Sequence, residues 1–486
     1  MAGILLGVGF LFPVLWVIGI LGVVFLLKEL LNETSIKKAL FGGGLAWFVK
    51  FLFVLGFYWS MYPIKWLPFD FGHGELWLIG LYWVTVALFL GTGGLVLATL
   101  IQLLKSVALD KTKIGYVTIP LIWVVSEIAG SFMLSLFTLG PGSELNTYFS
   151  LGYIGLLVAE HPMLLQFAHI AGVYSLSFLV VFLSVWLLNI KLTSSSKRNT
   201  WIAGFLFILW VSSFWTNFSP ADKSELKSVA VVSTSFPVQE LFNRESVPQL
   251  KEMKEASLSS ALETKADYII FPEDSRIFNQ TKDINKEISI FNFLHSESSS
   301  VIVDSGRIGE EGAGILQGLI FDSSTGKYAT AHKRYLVPQG EFVPYIYEWF
   351  FRVIGFRELM DGVTDLVSYE IGANTNQSKL NQKYPGLLFC FESASATGVK
   401  SLLNERPNLP FIAHPVSHSW FHTPESFWSQ LDSALQVQAV WNNVAIVSAG
   451  NHAPSKLFLP TGKIVMPETV DSGEYWSVGI VDVPIK

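Results

Sequence analysis

The stretch "ILQGLIFDSSTGKYATAHKRYLVPQGEFVP", residues 315–344, has the pattern of two strands joined by a turn and followed by a polar loop. Its two apolar runs flank "FDSSTGK", in which Asp, Ser and Gly are the residue types that hairpin turns favour. Both runs are too short for a typical helix and are rich in β-branched and aromatic residues. The pattern therefore predicts a β-hairpin that leads directly into a loop.

Comparable short runs recur from about residue 226 onward, and each ends at Gly, Ser, Asp or Pro. They are "SVAVVSTS", "DYIIFPE", "SSVIVDSG", "GLLFCFES", "LPFIAHPVS", "NVAIVSAGN" and "YWSVGIVDVPIK". Two longer segments, about 247–264 and 425–442, have helical patterns instead. Buried strands that alternate with helices predict an α/β domain over residues 221–486.

The first 220 residues have a different texture, and they account for a hydrophobic content of 51% in the whole chain of 486 residues. Six apolar segments are long enough to cross a bilayer, which takes about 20 residues. We therefore predict a polytopic bundle of about six spans over residues 1–220, with a bend at Pro13. The segments are about 3–27, 39–60, 76–104, 114–138, 163–190 and 200–218.

Basic residues between these segments predict the orientation of the chain. Lys and Arg cluster in the loops after segments one, three and five, whereas the loops after segments two and four hold only Lys65. By the positive-inside rule the three basic loops are cytoplasmic, so the C-terminal domain and the N-terminus lie on the outer face. The basic residues are Lys28, Lys37, Lys38, Lys105, Lys111, Lys113, Lys191, Lys197 and Arg198.

The membrane half also carries polar features with open interpretations. Lys50 and Glu127 lie inside segments two and four, where they either pair with each other or Lys50 snorkels to the interface. The aromatic loops "SMYPIKWLPFDFGHGELW" and "LGPGSELNTYFSLGY" either form an interfacial belt or line an opening towards the C-terminal domain. The net charge of −6 provides no basic surface for nucleic acid.

Reactive groups follow three of the predicted strands. Glu273 ends "FPE", Lys333 and Glu341 lie in the loop after the hairpin, and "FCFES" contains Cys390 and Glu392. In a strand, Cys390 and Glu392 would point to one face. Each residue alone has an ordinary interpretation, because a single cysteine in an apolar strand usually packs in a core. Together, Lys333 would favour the thiolate and Glu273 would move its proton.

The order of Glu273, Lys333 and Cys390, spaced 60 and 57 residues apart, resembles the Glu-Lys-Cys triad of the nitrilase (carbon–nitrogen hydrolase) superfamily. The phrase "LVPQGEFVPY", after a bundle of membrane spans, resembles the apolipoprotein N-acyltransferase family more narrowly. This resemblance implies a C-terminal α-β-β-α sandwich. It also implies a role for eight residues. They are Cys390 as the nucleophile, Glu273 as the general base, Lys333 as the oxyanion donor, and Glu341, Glu392, Phe391, Trp420 and Asn451 as supporting or substrate-binding residues.

Several positions depart from the family pattern. Phe391 occupies the place of a usual tyrosine, and "AHPVSHSWFHTP" replaces a "TNDAWFG"-like stretch, of which Trp420 and Phe421 match. His414, His418 and His422 are spaced four residues apart, but a proline follows the first and no acidic ligand has suitable spacing. We therefore expect neither a metal site nor a cofactor.

The resemblance implies a ping-pong acyl transfer in a bacterial cytoplasmic membrane. Cys390 would take an acyl chain from a phospholipid, with phosphatidylethanolamine as the expected donor, and would form a thioester. The chain would pass to the N-terminal amine of the diacylglyceryl cysteine of an apolipoprotein. The expected partners are therefore the phospholipid, the apolipoprotein and the bilayer, with a monomeric enzyme whose catalytic domain lies on the outer, periplasmic side.

Three alternatives share much of this evidence. A membrane-tethered amidase of the nitrilase type would use water instead of the amine, and an acyltransferase could use another amine acceptor. A lipoprotein-binding protein without catalysis is the third. The apolar stretch "PYIYEWFFRVIGF", residues 344–356, is either a buried helix or an interfacial arm with Glu348 and Arg352 on its polar side. An arm there favours a lipid substrate.

Overall fold

A computed structural model describes most of the chain. The described residues are 1–64, 74–108, 112–189, 204, 207–208, 211, 225–236, 247–278, 284–294, 299–309, 314–355, 361, 369–422 and 425–485.

The regular elements in the N-terminal half of the described chain are helices, joined by turns and loops. Four of its stretches are long and apolar enough to cross a bilayer, namely Pro13–Asn32, Ile36–Met61, Gly74–Ser106 and Gly115–Phe137. The helices are Ala2–Leu11 (α1), Trp16–Asn32 (α2), Ile36–Val54 (α3), Gly74–Ser106 (α4), Gly115–Phe137 (α5), Pro162–Leu165 (α6), Ala168–Ala171 (α7) and Val173–Leu188 (α8). Predicted segments two, three and four are thereby confirmed as long apolar helices.

The first predicted segment is not one span. Pro13 begins a short 3₁₀ turn, and α1 folds back along α2 so that Gly9 lies against Gly19 and Leu6 against Gly22. Proline cannot donate a helical hydrogen bond and its ring clashes with the preceding turn, which explains the break. The predicted bend at Pro13 is therefore confirmed, and the segment is a helical hairpin instead of one continuous helix over 3–27. Its second arm, Pro13–Asn32, is long enough to cross a bilayer.

The last two predicted segments have different outcomes. Segment five divides into α6, α7 and α8, because Gly172 takes a left-handed φ of 60° and ends α7. The longest piece, α8, has 16 residues and is shorter than the about 20 that a full crossing takes. The prediction of one continuous span over 163–190 is therefore wrong. Segment six, 200–218, lies outside the described residues apart from four isolated positions.

The two intramembrane charges do not form a direct ion pair. Lys50 is fully buried, and its Nζ lies over the rings of Trp47 and Phe51 at 4.5 and 4.4 Å from their centroids. Glu127 uses Oε1 to accept hydrogen bonds from Trp123 Nε1 at 3.1 Å and from the Ile154 main-chain N–H at 2.6 Å. Burial excludes snorkelling of Lys50, so that interpretation is wrong. The pairing with Glu127 is present as an electrostatic interaction without a hydrogen bond.

The C-terminal half contains two β-sheets joined at one point. In the first, β12 and β2 flank β1, and β3, β4 and β5 continue beyond β2. In the second, β6, β7 and β8 run parallel and β9 and β10 follow antiparallel. The sheets meet where Thr234 of β1 pairs with Asn451 of β8. The strands are Glu225–Thr234 (β1), Tyr268–Ile270 (β2), Val301–Ile308 (β3), Ile315–Asp322 (β4), Lys327–His332 (β5), Gly386–Leu387 (β6), Ile412–Ser417 (β7), Ile446–Asn451 (β8), Lys456–Phe458 (β9), Ile464–Val465 (β10), Glu468–Ser472 (β11) and Trp476–Ile485 (β12).

Three apolar layers hold the sheets and helices of this half together. One lies between the sheets and includes Val231, Ile270, Phe389 and Val447. The other two lie on the outer faces, where helices cover each sheet. The helices of this half are Val247–Glu263 (α9), Ile284–Leu294 (α10), Tyr345–Val353 (α11), Gly398–Glu405 (α12) and Glu425–Asn442 (α13). This arrangement confirms the predicted α-β-β-α sandwich and the two helices predicted near 247–264 and 425–442.

The sandwich rests directly on the helical bundle. In α13, Gln430 donates from Nε2 to the Val54 carbonyl at 2.9 Å, and the ring of Phe427 stacks on Phe57 at 4.5 Å. From the loop after α5, Ser150 donates from both its main-chain N–H and its hydroxyl to the Ala394 carbonyl. The described parts of the aromatic outer loops therefore contact the C-terminal domain, whereas the lining of an opening by both loops stays a prediction.

Candidate active site

The ends of two elements bring a lysine between two carboxylates. Lys333 follows β5, Glu273 lies beyond β2, and Glu341 belongs to the loop after Lys333. The ammonium of Lys333 donates to Glu273 Oε1 at 3.0 Å and to Glu341 Oε1 at 2.7 Å. Lys333 is 1% exposed, so this charge is compensated by the two carboxylates rather than by water. Three of the residues predicted to act together therefore meet in one buried cluster.

The loop "VPQGE" holds Glu341 in place. Glu341 accepts the Val337 N–H at Oε2 (2.8 Å), while its own main-chain N–H donates to the Val337 carbonyl at 2.8 Å. Gly340 lies flat against Trp420, and a Cβ at this position would come within 1.6 Å of the indole ring. Trp420 therefore covers the loop at Gly340, and its role as a supporting residue stays a prediction.

Cys390 lies at a sharp turn and not in a strand. Strand β6 ends at Leu387, and Cys390 begins a 3₁₀ helix that runs to Ala394. Its φ of 24° lies in the left-handed region, which is unfavourable for a residue with a Cβ. Its Sγ lies 3.5 Å from the Ser417 carbonyl, to which the thiol donates. The prediction that the whole of "GLLFCFES" is a strand is therefore wrong.

Glu392 closes this turn and does not share a face with the thiol. Its carboxylate accepts the Phe389 N–H at 2.9 Å and the Arg334 N–H at 2.6 Å. These bonds fold the chain back on itself, which is the physical reason that the predicted alternation fails here. Phe389 packs between the two sheets, whereas Phe391 faces Phe149 of the membrane half at 6.4 Å. Glu392 thus fastens the Lys333 loop to the Cys390 turn.

Asn451 supports the segment against which the thiol rests. Its side-chain N–H donates to Ser417 Oγ at 3.0 Å, and its Oδ1 accepts from the Thr234 hydroxyl at 2.9 Å. Its main-chain carbonyl accepts the His418 N–H at 2.9 Å. The Ser417 carbonyl was not predicted from the sequence, because any residue type supplies the same main-chain group.

Burial and charge set the protonation of the cluster. Burial raises the pKa of Glu273 to about 7, with Lys333 opposing this shift and Glu341 adding to it. Burial disfavours the charged form of Lys333, but the carboxylates of Glu273 and Glu341 outweigh it and raise its pKa. Burial also raises the pKa of the Cys390 thiol, and the Glu273 charge adds to that shift against Lys333. The resting site therefore holds a neutral thiol, a charged ammonium and a carboxylate that can take a proton near neutrality.

A cavity of about 70 Å³ lies between the membrane half and the sandwich, and its lining includes Arg334 and Phe391, the chain neighbours of Lys333 and Cys390. Phe391 and Phe342 line it from the sandwich side, and Leu134, Tyr148 and Phe149 line it from the bundle side. Its wall is therefore mainly apolar. The missing hydroxyl at Phe391 makes this wall less polar than a tyrosine would.

The three spaced histidines do not converge. His414 lies inside β7, His418 accepts from Trp428 Nε1 at 2.9 Å, and His422 bonds to the Pro63 carbonyl at 3.1 Å. Within the described ranges, no group of three or more His, Cys, Asp or Glu residues is placed to hold a metal ion.

The fold and this geometry define the class of the protein, which combines helices long enough to cross a membrane with an α-β-β-α sandwich. Residues 2–186 match the family model of the apolipoprotein N-acyltransferase N-terminal domain. Curated relatives include apolipoprotein N-acyltransferases of Rickettsia prowazekii (strain Madrid E), 23% identical over 354 residues, and Rickettsia typhi (strain ATCC VR-144 / Wilmington), 24% identical over 321 residues. By these matches the chain is similar to the apolipoprotein N-acyltransferases. They span 71% and 64% of this chain, and 66% and 62% of the relatives' own lengths.

Solved structures with similarity include an amidase from Nesterenkonia sp., at 15% identity and a TM-score of 0.33, covering 55% of this chain and 94% of the amidase. Another is the glutamine-dependent NAD+ synthetase from Acinetobacter baumannii, at 18% identity and a TM-score of 0.35. That similarity covers 53% of this chain and 45% of the synthetase.

Proposed function

We propose that the protein transfers an acyl chain from a phospholipid, through a thioester on Cys390, to the N-terminal amine of the diacylglyceryl cysteine of apolipoproteins. The observation that supports this most directly is the buried Lys333, held between Glu273 and Glu341 beside the turn that carries Cys390. The relatedness of the chain to apolipoprotein N-acyltransferases supports the choice of substrates.

The first step forms the thioester. Glu273 takes the proton of the Cys390 thiol, and Sγ attacks the sn-1 ester carbonyl of the phospholipid, for which phosphatidylethanolamine is the proposed donor. Lys333 stabilises the negative charge that develops on the carbonyl oxygen. The ester C–O bond then breaks, and the lysophospholipid leaves with the proton from Glu273.

The second step consumes the thioester. The free amine of the lipid-modified cysteine attacks the thioester carbonyl while Glu273 accepts a proton from the attacking nitrogen. The C–S bond breaks, the amide of the triacylated lipoprotein forms, and the thiolate of Cys390 is protonated again. A pKa of about 7 suits Glu273 for both directions of proton transfer, because base and acid forms are then similarly accessible.

The membrane location suits substrates that never leave the bilayer. The basic loops support a cytoplasmic membrane location with the sandwich on the outer, periplasmic face. The helix α11 supports an interfacial arm, because Trp349 and Val353 are exposed while Tyr347 packs against Tyr82 and Phe137. The apolar cavity beside Phe391 offers a surface between the bundle and the sandwich for part of an acyl chain. We propose that one chain carries the complete site and acts as a monomer.

Intact mass after incubation with phospholipid vesicles tests the covalent step. The wild type should gain one acyl chain that hydroxylamine removes, and Cys390→Ala should gain none. Cys390→Ser serves as a matched control, since an oxygen ester would resist hydroxylamine. An active preparation of wild type that stays unmodified would contradict the thioester mechanism.

A second assay separates the alternatives. Diacylated lipopeptide supplied to the acylated protein should become N-acylated, with loss of the acyl mass from Cys390. Ammonia release from small amides, without a lipopeptide product, would instead favour an amidase. N-acylation of a different amine would keep the chemistry and change the acceptor. Tight lipopeptide binding without either reaction would favour a non-catalytic binding protein.

A further inference from the structure

We infer that His414 is a positioning residue for Cys390, acting through the main-chain carbonyl of the cysteine. This inference rests on the acyl transfer proposed above, but it concerns a residue outside the Glu273, Lys333 and Cys390 set. His414 lies in β7, next to the 3₁₀ helix that Cys390 begins, and is 1% exposed. In the sequence, its spacing to His418 and His422 indicates only a candidate metal ligand.

The hydrogen bonds of His414 fix its tautomer. Its Nε2 lies 3.3 Å from the Cys390 carbonyl oxygen, and its Nδ1 lies 2.9 Å from Ser448 Oγ. A carbonyl oxygen can only accept, so Nε2 carries the proton and donates it. Nδ1 of the neutral ring then accepts from the Ser448 hydroxyl, and Ser448 is the register partner of His414 in the neighbouring strand β8. Both strands are needed to orient this one donor.

The Cys390 carbonyl is a group that needs to be held. The left-handed φ of 24° at Cys390 is strained for a residue with a side chain, and such strain persists only where the surroundings enforce it. A second donor, Ser393 Oγ, reaches the same carbonyl at 2.6 Å. Two hydrogen bonds therefore resist the rotation that would relax the turn and move Sγ away from the Ser417 carbonyl.

The imidazole acts as a fixed neutral donor and not as a base. Burial lowers the pKa of His414 to about 4, and the nearby ammonium of Lys333 disfavours the imidazolium further. The ring therefore keeps one tautomer throughout the neutral pH range. The titratable groups that face the thiol or the ring come from three segments, which follow β2, β5 and β7. They are Glu273, Lys333, Glu341 and His418.

The single cysteine of the chain makes a direct test possible, because iodoacetamide can alkylate only Cys390. The full-length protein in phospholipid nanodiscs is alkylated over a range of pH, and acyl-enzyme formation is measured in parallel by intact mass. His414→Ala should relax the turn and let the thiol leave the buried cluster, where burial and the Glu273 charge raise its pKa. The midpoint of the alkylation profile should then move to lower pH, and acyl-enzyme formation should slow by on the order of ten-fold, as expected for one lost hydrogen bond.

Two further variants keep the test decisive. His414→Gln retains a side-chain N–H and should restore the profile at least in part. Tyr268→Phe is the matched control, because it removes a bond of 3.0 Å to the Lys383 carbonyl, a main-chain acceptor away from the site. This control should leave the alkylation midpoint unchanged. If His414→Ala is not recovered folded, the alkylation midpoint of His414→Gln is compared with that of wild type. A midpoint near that of wild type then supports the donor role, and a shifted midpoint contradicts it.

The outcomes separate this inference from the proposed function. A folded His414→Ala with the wild-type alkylation profile and acylation rate would overturn the positioning role. A shifted profile in His414→Ala, together with a wild type that is alkylated but never acylated by phospholipid, would support the positioning role and overturn the acyl transfer.

Discussion

Lys333 is a buried cation whose stability depends on two carboxylates. Replacing it by Met leaves Glu273 and Glu341 uncompensated inside the protein. We expect Lys333→Met to abolish acyl-enzyme formation and to lower the free energy of unfolding at pH 7 by about 3–5 kcal/mol. The loss should shrink at lower pH, where the two carboxylates bind protons. Chemical denaturation of the variant and of wild type at several pH values measures it, and an equal loss at every pH would contradict this account.

Glu273 should give the reaction its lower pH limit. The carboxylate accepts a proton only when it is ionised, and burial raises its pKa to about 7. Acyl-enzyme formation should therefore increase as the pH rises through about 7. A single-turnover pH profile of wild type checks this, and a midpoint near the ordinary glutamate value would show that another group limits the rate.

The raised pKa of Glu273 makes the reaction faster at higher pH, but it makes the folded protein less stable there. A carboxyl group whose pKa is raised by folding stabilises the protein when protonated, and this contribution is lost as pH rises through the folded value. The free energy of unfolding of wild type should therefore fall, relative to Glu273→Gln, as pH rises from about 4.5 to about 7. Glu341→Gln, which keeps Glu273, should retain the fall, and parallel curves for wild type and Glu273→Gln would contradict it.

At this scale the sequence predicted which side chains meet but not how each one is held. The order of Glu273, Lys333 and Cys390 is a linear signal, so it could be recognised without coordinates. The turn at Cys390 has no such signal, because the alternating pattern of "LLFCFES" is equally compatible with a strand. Its geometry depends on hydrogen bonds from residues that are distant in sequence, such as Arg334 to Glu392 and His414 to Cys390.

Among the elements, α11 exposes an apolar face, and one buried aromatic ring anchors the helix to the bundle. Tyr347 packs between Tyr82 and Phe137, whereas Trp349 is 60% exposed. If this face enters the interface, Trp349→Ser should weaken the use of bilayer phospholipid by about ten-fold, in line with the burial energy of a large apolar side chain. With detergent-dispersed short-chain phospholipid, the variant should react at the rate of wild type. Equal losses of rate with both substrates would contradict an interfacial role.

The packing of α3 on α4 depends on a contact between two glycine backbones. A Cβ at Gly94 would lie 2.3 Å from the Gly43 carbonyl oxygen, whereas a Cβ at Gly42 meets nothing within 4 Å. We expect Gly94→Leu to lower the thermal midpoint strongly and Gly42→Leu to leave it almost unchanged. Thermal unfolding in one detergent compares the two variants. Similar midpoints would show that the helices adjust without cost.

Helix prediction failed where a local break in the chain, and not the hydrophobic pattern, determines where a helix ends. Hydropathy is nearly uniform across Pro13, so it cannot distinguish one long span from the hairpin of α1 and α2. The long helices α4 and α5 have no such break that ends them, and their spans were predicted correctly. Pro120 even lies inside α5, which shows that proline alone does not determine a helix end.

For the whole molecule, orientation across the membrane is the property that sequence alone predicts and geometry does not address. In a Cys390→Ser background, Glu468→Cys on the exposed strand β11 should react with an impermeant maleimide added to intact spheroplasts. Lys37→Cys, in the exposed first turn of α3 beside the first basic loop, should react only after permeabilisation. The reverse pattern would invert the predicted topology.

The division into an apolar helical half and an α/β half could be predicted because composition changes sharply along the chain. The sandwich itself was predicted from the resemblance, since strand patterns do not specify how two sheets pair. The pairing of Thr234 with Asn451 joins residues more than two hundred positions apart in the chain. The contact of α13 with the bundle joins residues from different halves. No local pattern encodes such contacts.

The bond from Ser150 to Ala394 has a consequence for how this molecule can be taken apart. Ala394 ends the short helix that Cys390 begins, and its carbonyl receives both donors of Ser150 from the loop after α5. The sandwich is therefore not a self-contained module that could be grafted onto an unrelated anchor. A chimaera would need to carry the 148–150 loop with it, because part of the scaffold of the nucleophile belongs to the membrane half.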